Sequence, residues 1–325
     1  MKQFLSVSDA FQNGQSQIDR LIAKALDYKK NPFQDETLGR GKRIGMLFFN
    51  PSMRTRLSTQ IAAKNLGMEP IILNVGQEGW AIEFGEGAVM NGQTVEHIKD
   101  AAPIFGAYFD ILCVRTFPKL NTVEEDESET AIKAFLKHSG LPVMSLESST
   151  LHPLQSLADL ITITEVLSLQ PKKKPKVVLT WAPHIKPIPH CVGNSFAQWA
   201  NAWGHADFVV ANPEGYDLLK KYTGDARVVH DQAEALEGAD FVYVKNWSSI
   251  QDYGKVLAPH EDWMLREKSL ARAPNAKVMH CLPLRRNVEL SDEILDGPRS
   301  ILTQQASNRV WSAQTVISEI LLGIK

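Results

Sequence analysis

The run Ile44-Gly45-Met46-Leu47-Phe48-Phe49, followed at once by Asn50-Pro51-Ser52-Met53-Arg54-Thr55-Arg56-Leu57-Ser58-Thr59, carries the reading of the fold. A nearly unbroken apolar run suits a strand buried on both faces, the mark of a parallel sheet covered by helices on either side. A polar corner then turns the chain. Beyond it, residues 54–66 follow a helical pattern for which Ser52 is the expected cap.

Working outward, similar apolar runs recur at residues 70–75, 109–114 and 142–146, with helical patterns at 95–109 and 130–138 between them. Upstream, Ile18, Leu21, Ile22, Ala25 and Leu26 predict an amphipathic helix reaching about Lys29. A second series of strands is expected at 176–181, 206–210, 241–244 and 277–280, with helices near 155–167, 195–202 and 232–236. The fold class is therefore α/β, with two parallel-sheet domains. The first is expected over residues 1–148, joined by a C-terminal helix at 310–325 whose pattern is clearest from Ser312 to Leu322, and the second over 149–309. The lysines Lys172, Lys173 and Lys174, set between prolines, read as a solvated turn.

The chain has 325 residues, room for about two domains. Hydrophobic residues at 44% and charged residues at 22% exclude a disordered, collagen-like or coiled-coil chain. Lys+Arg 35 against Asp+Glu 37 leaves a net charge of −2, so no global positive field draws nucleic acid or an anionic membrane. No apolar run is long enough to span a bilayer, and the N-terminus lacks the pattern of a secretory leader. Cys113, Cys191 and Cys281 are widely spaced and fit neither a disulfide framework nor a structural zinc site. A reducing, cytoplasmic setting is expected.

The corner after the first strand is the richest chemical feature. A helix beginning near Ser52 offers free backbone N–H groups beside the planar donor forks of Arg54 and Arg56, a combination suited to a phosphate. A capped helix with two solvated arginines fits the same residues. No Walker pattern and no G-x-G-x-x-G follows the strand, which counts against nucleotide hydrolysis and nicotinamide binding. Arg115 ends the run 111–114, at the strand end where α/β sheets place ligands, though a surface pairing would also account for it. His152 precedes Pro153, a helix-starting pair, so its imidazole serves either as a hydrogen-bond donor to a developing oxyanion or as a capping or packing group.

With these residues in view, the chain resembles the carbamoyltransferases of the aspartate and ornithine type. Their Ser-x-Arg-Thr-Arg motif is matched by Ser52 to Arg56, their His-Pro-x-Gln by His152 to Gln155, and the His-Cys-Leu-Pro of ornithine-type members by His280 to Pro283. The resemblance implies that Ser52, Met53, Arg54 and Thr55 bind the phosphate of carbamoyl phosphate. Arg115 and His152 then reach the carbamoyl end, Gln155 holds the amide, and Arg309 closes the anion site. It also implies a homotrimer, with Trp80 completing a partner's site, and neither metal nor cofactor.

The acceptor is read from departures. The Asp-x-x-x-Ser-Met-Gly loop of ordinary ornithine enzymes is missing, while Thr180 to His184, Lys186 to His190 and Tyr243 to Trp247 resemble the N-acylornithine carbamoyltransferases. In that group only the δ-amine of the substrate is free, and the Pro-rich stretch 185–191 belongs to a knotted connection. Carried over, Glu147 and Lys245 contact the amino-acid part, Arg285 or His184 meets the acyl side, and Cys281 and Leu282 act through their backbone. From the residues alone, Glu147 suits a surface pair equally well and Cys281 a small buried packing group. The acetyl type carries a glutamate, and the succinyl type a proline, two residues before the histidine of the loop that here reads Met90 to His97; this chain has Val95. Where the acetyl type has a lysine after the His-Cys-Leu-Pro segment, this chain has Glu289. Without a glutamate to repel a carboxylate, N-succinylornithine is the favoured acceptor, with N-acetylornithine the alternative. An NAD-dependent oxidoreductase or a noncatalytic anion-binding protein would use a similar fold; binding of NAD, or phosphate binding without transfer, would reveal them.

Overall fold

The computed structural model describes residues 1–325 apart from 13, 173, 258, 259 and 325, so Lys173 of the expected lysine turn lies outside the described residues. Internal packing divides the chain into two units. One comprises Met1–Lys119, Glu124–Leu154 and Arg309–Lys325, the other Leu120–Val123 and Gln155–Asn308. Set beside the expected boundaries, this keeps Glu147 to Leu154 whole and groups Arg309 with the first unit.

In the first unit, strands β1 (Arg43–Phe48), β2 (Glu69–Asn74), β3 (Ile111–Arg115) and β4 (Val143–Glu147) form a parallel sheet in the order β2-β1-β3-β4. Every residue of β3 and β4 is buried; β3 lies inside the sheet, and Phe4 covers the outer edge of β4 by bridging to Met144. Leu47, Leu112, Val114 and Val143 pack with Ile98, Ala102, Ile132 and Phe135 into one core. Helices α1 (Ile18–Lys30), α2 (Arg54–Asn65), α3 (Ile98–Tyr108) and α4 (Thr130–His138) follow the expected pattern. Phe109 packs so closely on β1 that a Cβ at Gly45 would collide with its ring. Helix α3 starts later than the sequence pattern suggested. Glu96 and His97 form a short strand with Ile82 and Glu83, and the His97 ring then caps the helix by accepting from the Lys99 N–H at 3.2 Å.

In the second unit, β5 (Lys176–Trp181), β6 (Asp207–Ala211), β7 (Arg227–Val229), β8 (Phe241–Lys245) and β9 (Lys277–Met279) are parallel in the order β7-β6-β5-β8-β9. Strand β7 was not anticipated: at three residues on a sheet edge, only its last side chain is buried, so no apolar run announces it. Helix α5 (Pro153–Leu169) starts on its proline, whose missing N–H costs nothing at that position. Helix α6 (Cys191–Trp203) is stopped by Gly204, left-handed at φ 71°.

The last helix, α8 after the short α7 (Gln232–Leu236), spans Leu302–Gly323 and so begins well before the expected Ser312. Its first turns carry Gln304, Gln305 and Asn308, which broke the apolar periodicity. Gln305 and Asn308 are nonetheless fully buried, because side-chain hydrogen bonds satisfy their amides.

Candidate functional site

Both sheets contain a point at which the strand order reverses, the place where open α/β sheets bind ligands. In the first unit it lies between β1 and β3, whose ends are in register, Phe48 opposite Arg115. Beyond those ends, the Phe49 N–H donates to the Arg115 carbonyl at 3.0 Å and Asn50 Oδ1 accepts from the Phe117 N–H at 2.8 Å. These bonds fix the corner that the sequence marked out. The capping position falls on Met53 rather than Ser52, yet the Ser52 hydroxyl still accepts from the Thr55 N–H at 3.3 Å.

Thr55, at the first turn of α2, receives two guanidinium groups on one hydroxyl oxygen, from Arg309 Nη2 at 2.5 Å and Arg115 Nη1 at 3.5 Å. Both arginines are 6% exposed. Surface pairing of Arg115 is thereby excluded. Arg115 forms a buried ion pair with Glu147 at the end of β4, and Glu147 Oε2 also lies 3.4 Å from His152 Nε2. Among the described residues, Arg115 Nε is buried with no hydrogen-bond partner. Leaving such a donor unpaired costs roughly 1–3 kcal/mol, which a ligand or a water bound there would relieve. Two buried guanidinium groups against one carboxylate favour an anion.

The structure thus brings together Thr55, Arg115, Glu147, His152 and Arg309, with Ser52 and Met53 at the same helix start. Arg54, the first residue of α2, is half-buried beside them. Glu147, expected to contact the amino-acid part of the acceptor, stands beside Arg115 and His152 in the first unit. Trp80 stands elsewhere, 56% exposed, its indole N–H donating to Glu96 at 2.6 Å.

Glu129 is a neighbour of these residues that the sequence did not mark out. Its carboxylate accepts from Ser148 Oγ at 2.6 Å, Ser149 N at 3.2 Å, Thr150 N at 2.8 Å and Thr150 Oγ1 at 2.5 Å. It thereby braces the turn that separates Glu147 from His152. Its left-handed backbone, φ 51°, was the only local sign, and no sequence pattern shows that.

In the second unit the reversal lies between β5 and β8, where Trp181 faces Lys245 in register. The Trp181 indole donates to the Trp247 carbonyl at 2.7 Å, and Asn246 Nδ2 donates to the Ala182 carbonyl at 2.5 Å. Here His184 lines a cavity of about 550 Å³ together with Pro183, Met264, Arg266 and Asn287. Arg266 was not anticipated; nothing in its sequence surroundings sets it apart. Arg285 is exposed and does not belong to that lining.

At the end of β9 the backbone of His280 to Pro283 is held from within. The Leu282 N–H donates to His280 Nδ1 at 2.9 Å, so the ring's Nε2 carries the proton toward Glu289 Oε1 at 3.2 Å. Glu289 Oε2 accepts from the Arg285 N–H at 2.7 Å. Burial opposes ionisation of this carboxyl, but the His280 hydrogen bond, the charge of Lys245 and the Arg285 N–H outweigh it and hold the pKa at about 2. Leu282 adopts φ 57° and precedes a cis proline; Cys281 is buried and Leu282 partly exposed.

An open α/β sheet with two buried guanidinium groups beyond its strand ends suits the binding of an anion, and the second sheet carries a cavity beside its own reversal. Comparison with known proteins makes that specific: the chain belongs to the aspartate/ornithine carbamoyltransferase family, matching its carbamoyl-P binding domain over residues 2–165 and its Asp/Orn binding domain over 191–320. It is a carbamoyltransferase. It is 45% identical to an N-succinylornithine carbamoyltransferase of Bacteroides fragilis (strain 638R), covering 99% of each chain. It is 34% identical to an N-acetylornithine carbamoyltransferase of Xanthomonas axonopodis pv. citri (strain 306), over 98% of this chain and 96% of the relative. A solved structure of N-acetyl-L-ornithine transcarbamylase with a glutamate changed to valine, complexed with carbamyl phosphate and N-succinyl-L-norvaline, matches with a TM-score of 0.90 at 34% identity, covering 98% of this chain and all of that one.

Proposed function

We propose that the enzyme transfers the carbamoyl group of carbamoyl phosphate to the δ-amine of N-succinylornithine, giving N-succinylcitrulline and phosphate in arginine biosynthesis. The observation that carries the choice of acyl group is Val95. We take the glutamate exchanged for valine in the acetyl-type enzyme, in the variant that holds N-succinyl-L-norvaline, to be the one that Val95 replaces here. A carboxylate at that position repels the succinyl carboxylate, and valine removes the repulsion. The 45% identity to an N-succinylornithine enzyme supports the same reading.

On this reading the donor phosphate takes the N–H groups of the α2 start with Ser52, Met53, Arg54 and Thr55, and Arg309 closes over it. Arg115 and His152 point donors at the carbamoyl oxygen, where negative charge develops as the amine attacks. Gln155 accepts from the carbamoyl NH₂. The acceptor is held by Glu147, Lys245 and the backbone of Cys281 and Leu282, with His184 and Arg285 toward the succinyl carboxylate. The neutral δ-nitrogen forms a bond to the carbamoyl carbon, the C–O bond to phosphate breaks, and phosphate leaves with the electron pair. The departing phosphate takes the proton that the amine must lose. No covalent enzyme intermediate is needed, because phosphate is already a good leaving group and orientation supplies much of the rate.

The oligomer that fits this reading is a homotrimer in which Trp80 reaches a partner's site. Exposed Met53, Leu57 and Ile61, spaced along one face of α2, offer an apolar stripe for such packing. Three buried free thiols suit the cytoplasm. Among the described residues, no helix is long and apolar enough to cross a membrane.

The test supplies carbamoyl phosphate with ornithine, N-acetylornithine or N-succinylornithine and follows phosphate and citrulline products separately. The succinyl compound should show the highest kcat/KM, by about tenfold or more over the acetyl compound. Equal or faster turnover of N-acetylornithine would overturn the assignment.

A further inference from the structure

Helix α5 carries a carboxylate, Asp159, one turn after Gln155 and fully buried. Its Oδ1 accepts two hydrogen bonds, from Gln155 Nε2 at 2.7 Å and from Gln305 Nε2 at 2.7 Å. An ionised carboxylate only accepts, so each amide must offer it the NH₂ end and turn its carbonyl oxygen elsewhere. For Gln305 the outcome is visible: its Oε1 accepts from the His280 N–H at 2.8 Å, at the start of the strand-end segment His280 to Pro283. For Gln155 the same constraint turns Oε1 away from Asp159.

The two ends of a glutamine amide have nearly the same shape, and only hydrogen bonding separates them. A Gln155 free to rotate would offer its own NH₂ to a carbamoyl NH₂ in half of its orientations, two donors facing each other. We propose that Asp159 is a positioning residue that locks Gln155 with its oxygen toward the carbamoyl NH₂ and, through Gln305, anchors the His280 to Pro283 segment. The inference rests on the assignment of Gln155 to the carbamoyl amide made above. It concerns discrimination of the donor's nitrogen, and the same carboxylate serves both substrates without touching either.

The experiment compares carbamoyl phosphate with acetyl phosphate, which carries a methyl group in place of the amine and needs no acceptor. Asp159→Leu keeps much of the bulk of the side chain but has no accepting oxygen, which removes the lock. The KM for carbamoyl phosphate should rise about tenfold, while the competitive inhibition constant of acetyl phosphate stays within about twofold. Because both constants come from the same folded fraction, their ratio is insensitive to partial misfolding; Asp159→Ala, expected to show the same selective loss, serves should the leucine variant not fold. A parallel loss of both ligands, or no loss of either, would overturn the proposal. Gln155→Ala separates the two layers of the argument. If it weakens carbamoyl phosphate alone while Asp159→Leu does not, the positioning role fails; if it leaves carbamoyl phosphate unchanged, the assignment of Gln155 fails and the role of Asp159 with it.

Discussion

The two strand-order reversals are built alike and furnished differently. In each, a central strand and its neighbour end in register, Phe48 with Arg115 and Trp181 with Lys245, and the chain beyond them forms the candidate site. The first gathers two buried guanidinium groups on one threonine hydroxyl, with a carboxylate and an imidazole alongside. The second offers an indole, an imidazole and backbone groups beside a cavity. A phosphorylated donor brings a fixed dense charge, which only converging donors can balance. An acylated amino acid brings long apolar arms with polar groups far apart, which shape and a few hydrogen bonds can read. One topology therefore hosts either chemistry, and the residues at the strand ends decide which.

If charge does the work in the first site, the largest effect should come from Arg54→Ala. Loss of a donor that strengthens its hold as phosphate departs should lower kcat by about 10²- to 10³-fold, while the melting temperature moves by no more than a few degrees. Steady-state rates at saturating substrates, set beside thermal melting, check this. An unchanged kcat would remove the guanidinium from the transition state and leave the contrast between the sites without its basis.

The second site depends on how its backbone is held, and Glu289→Gln probes that directly. The amide keeps the size of the side chain but weakens its hold on the His280 ring and the Arg285 N–H. The KM for the acylornithine should rise by about ten- to thirtyfold with the KM for carbamoyl phosphate nearly constant. A change in both would mean that the segment His280 to Pro283 does not belong to the acceptor alone.

That asymmetry also explains how much the sequence revealed. The corner after β1 stood out because strand end, helix start, Arg54 and Arg56 are contiguous, whereas the two guanidinium groups on Thr55 are those of Arg115 and Arg309. Arg309, far along the chain, was reached only through family resemblance, and the folded chain places it on Thr55. Helix α8 was half hidden because Gln305 and Asn308 are buried for hydrogen bonding, which hydropathy cannot register. Glu129, Asp159 and Arg266 were invisible for a related reason. Glu129 is held by residues 148–150 and Asp159 in part by Gln305 on α8, all distant in sequence, and no local pattern separates a bracing carboxylate from a solvated one.

Glu129 in the first unit is the counterpart of Glu289 in the second, a carboxylate that braces a site-bearing turn. Glu129→Gln replaces one accepting oxygen by an NH₂ that faces donors at residues 148–150. Because the turn carries His152 but not the arginines, kcat should fall about three- to tenfold with phosphate inhibition unchanged. Product-inhibition constants measured for the wild type and the variant give the comparison. Weaker phosphate binding would show that the brace supports the whole corner.

The smallest effect on rate should come from a buried carboxylate with no part in either site. Glu319 on α8 pairs with Arg20 at 2.7 Å and Lys24 at 2.8 Å, both on α1. Burial raises its pKa, but the hydrogen bonds and charges of Arg20 and Lys24 outweigh that and hold it at about 2. A carboxyl whose pKa is lower folded than unfolded stabilises the protein fully above the unfolded value of about 4.3 and loses that contribution as pH falls toward 2. After allowance for solvent screening, Glu319→Gln should remove on the order of 1–3 kcal/mol at neutral pH and flatten the acid limb of the stability curve, with kcat and both KM values unchanged. Glu289 titrates over the same window, so acid unfolding alone does not distinguish the two carboxylates. Their variants separate in the acceptor KM, which follows Glu289 and ignores Glu319 if carboxylates at the strand ends act on substrate geometry and those elsewhere on stability alone.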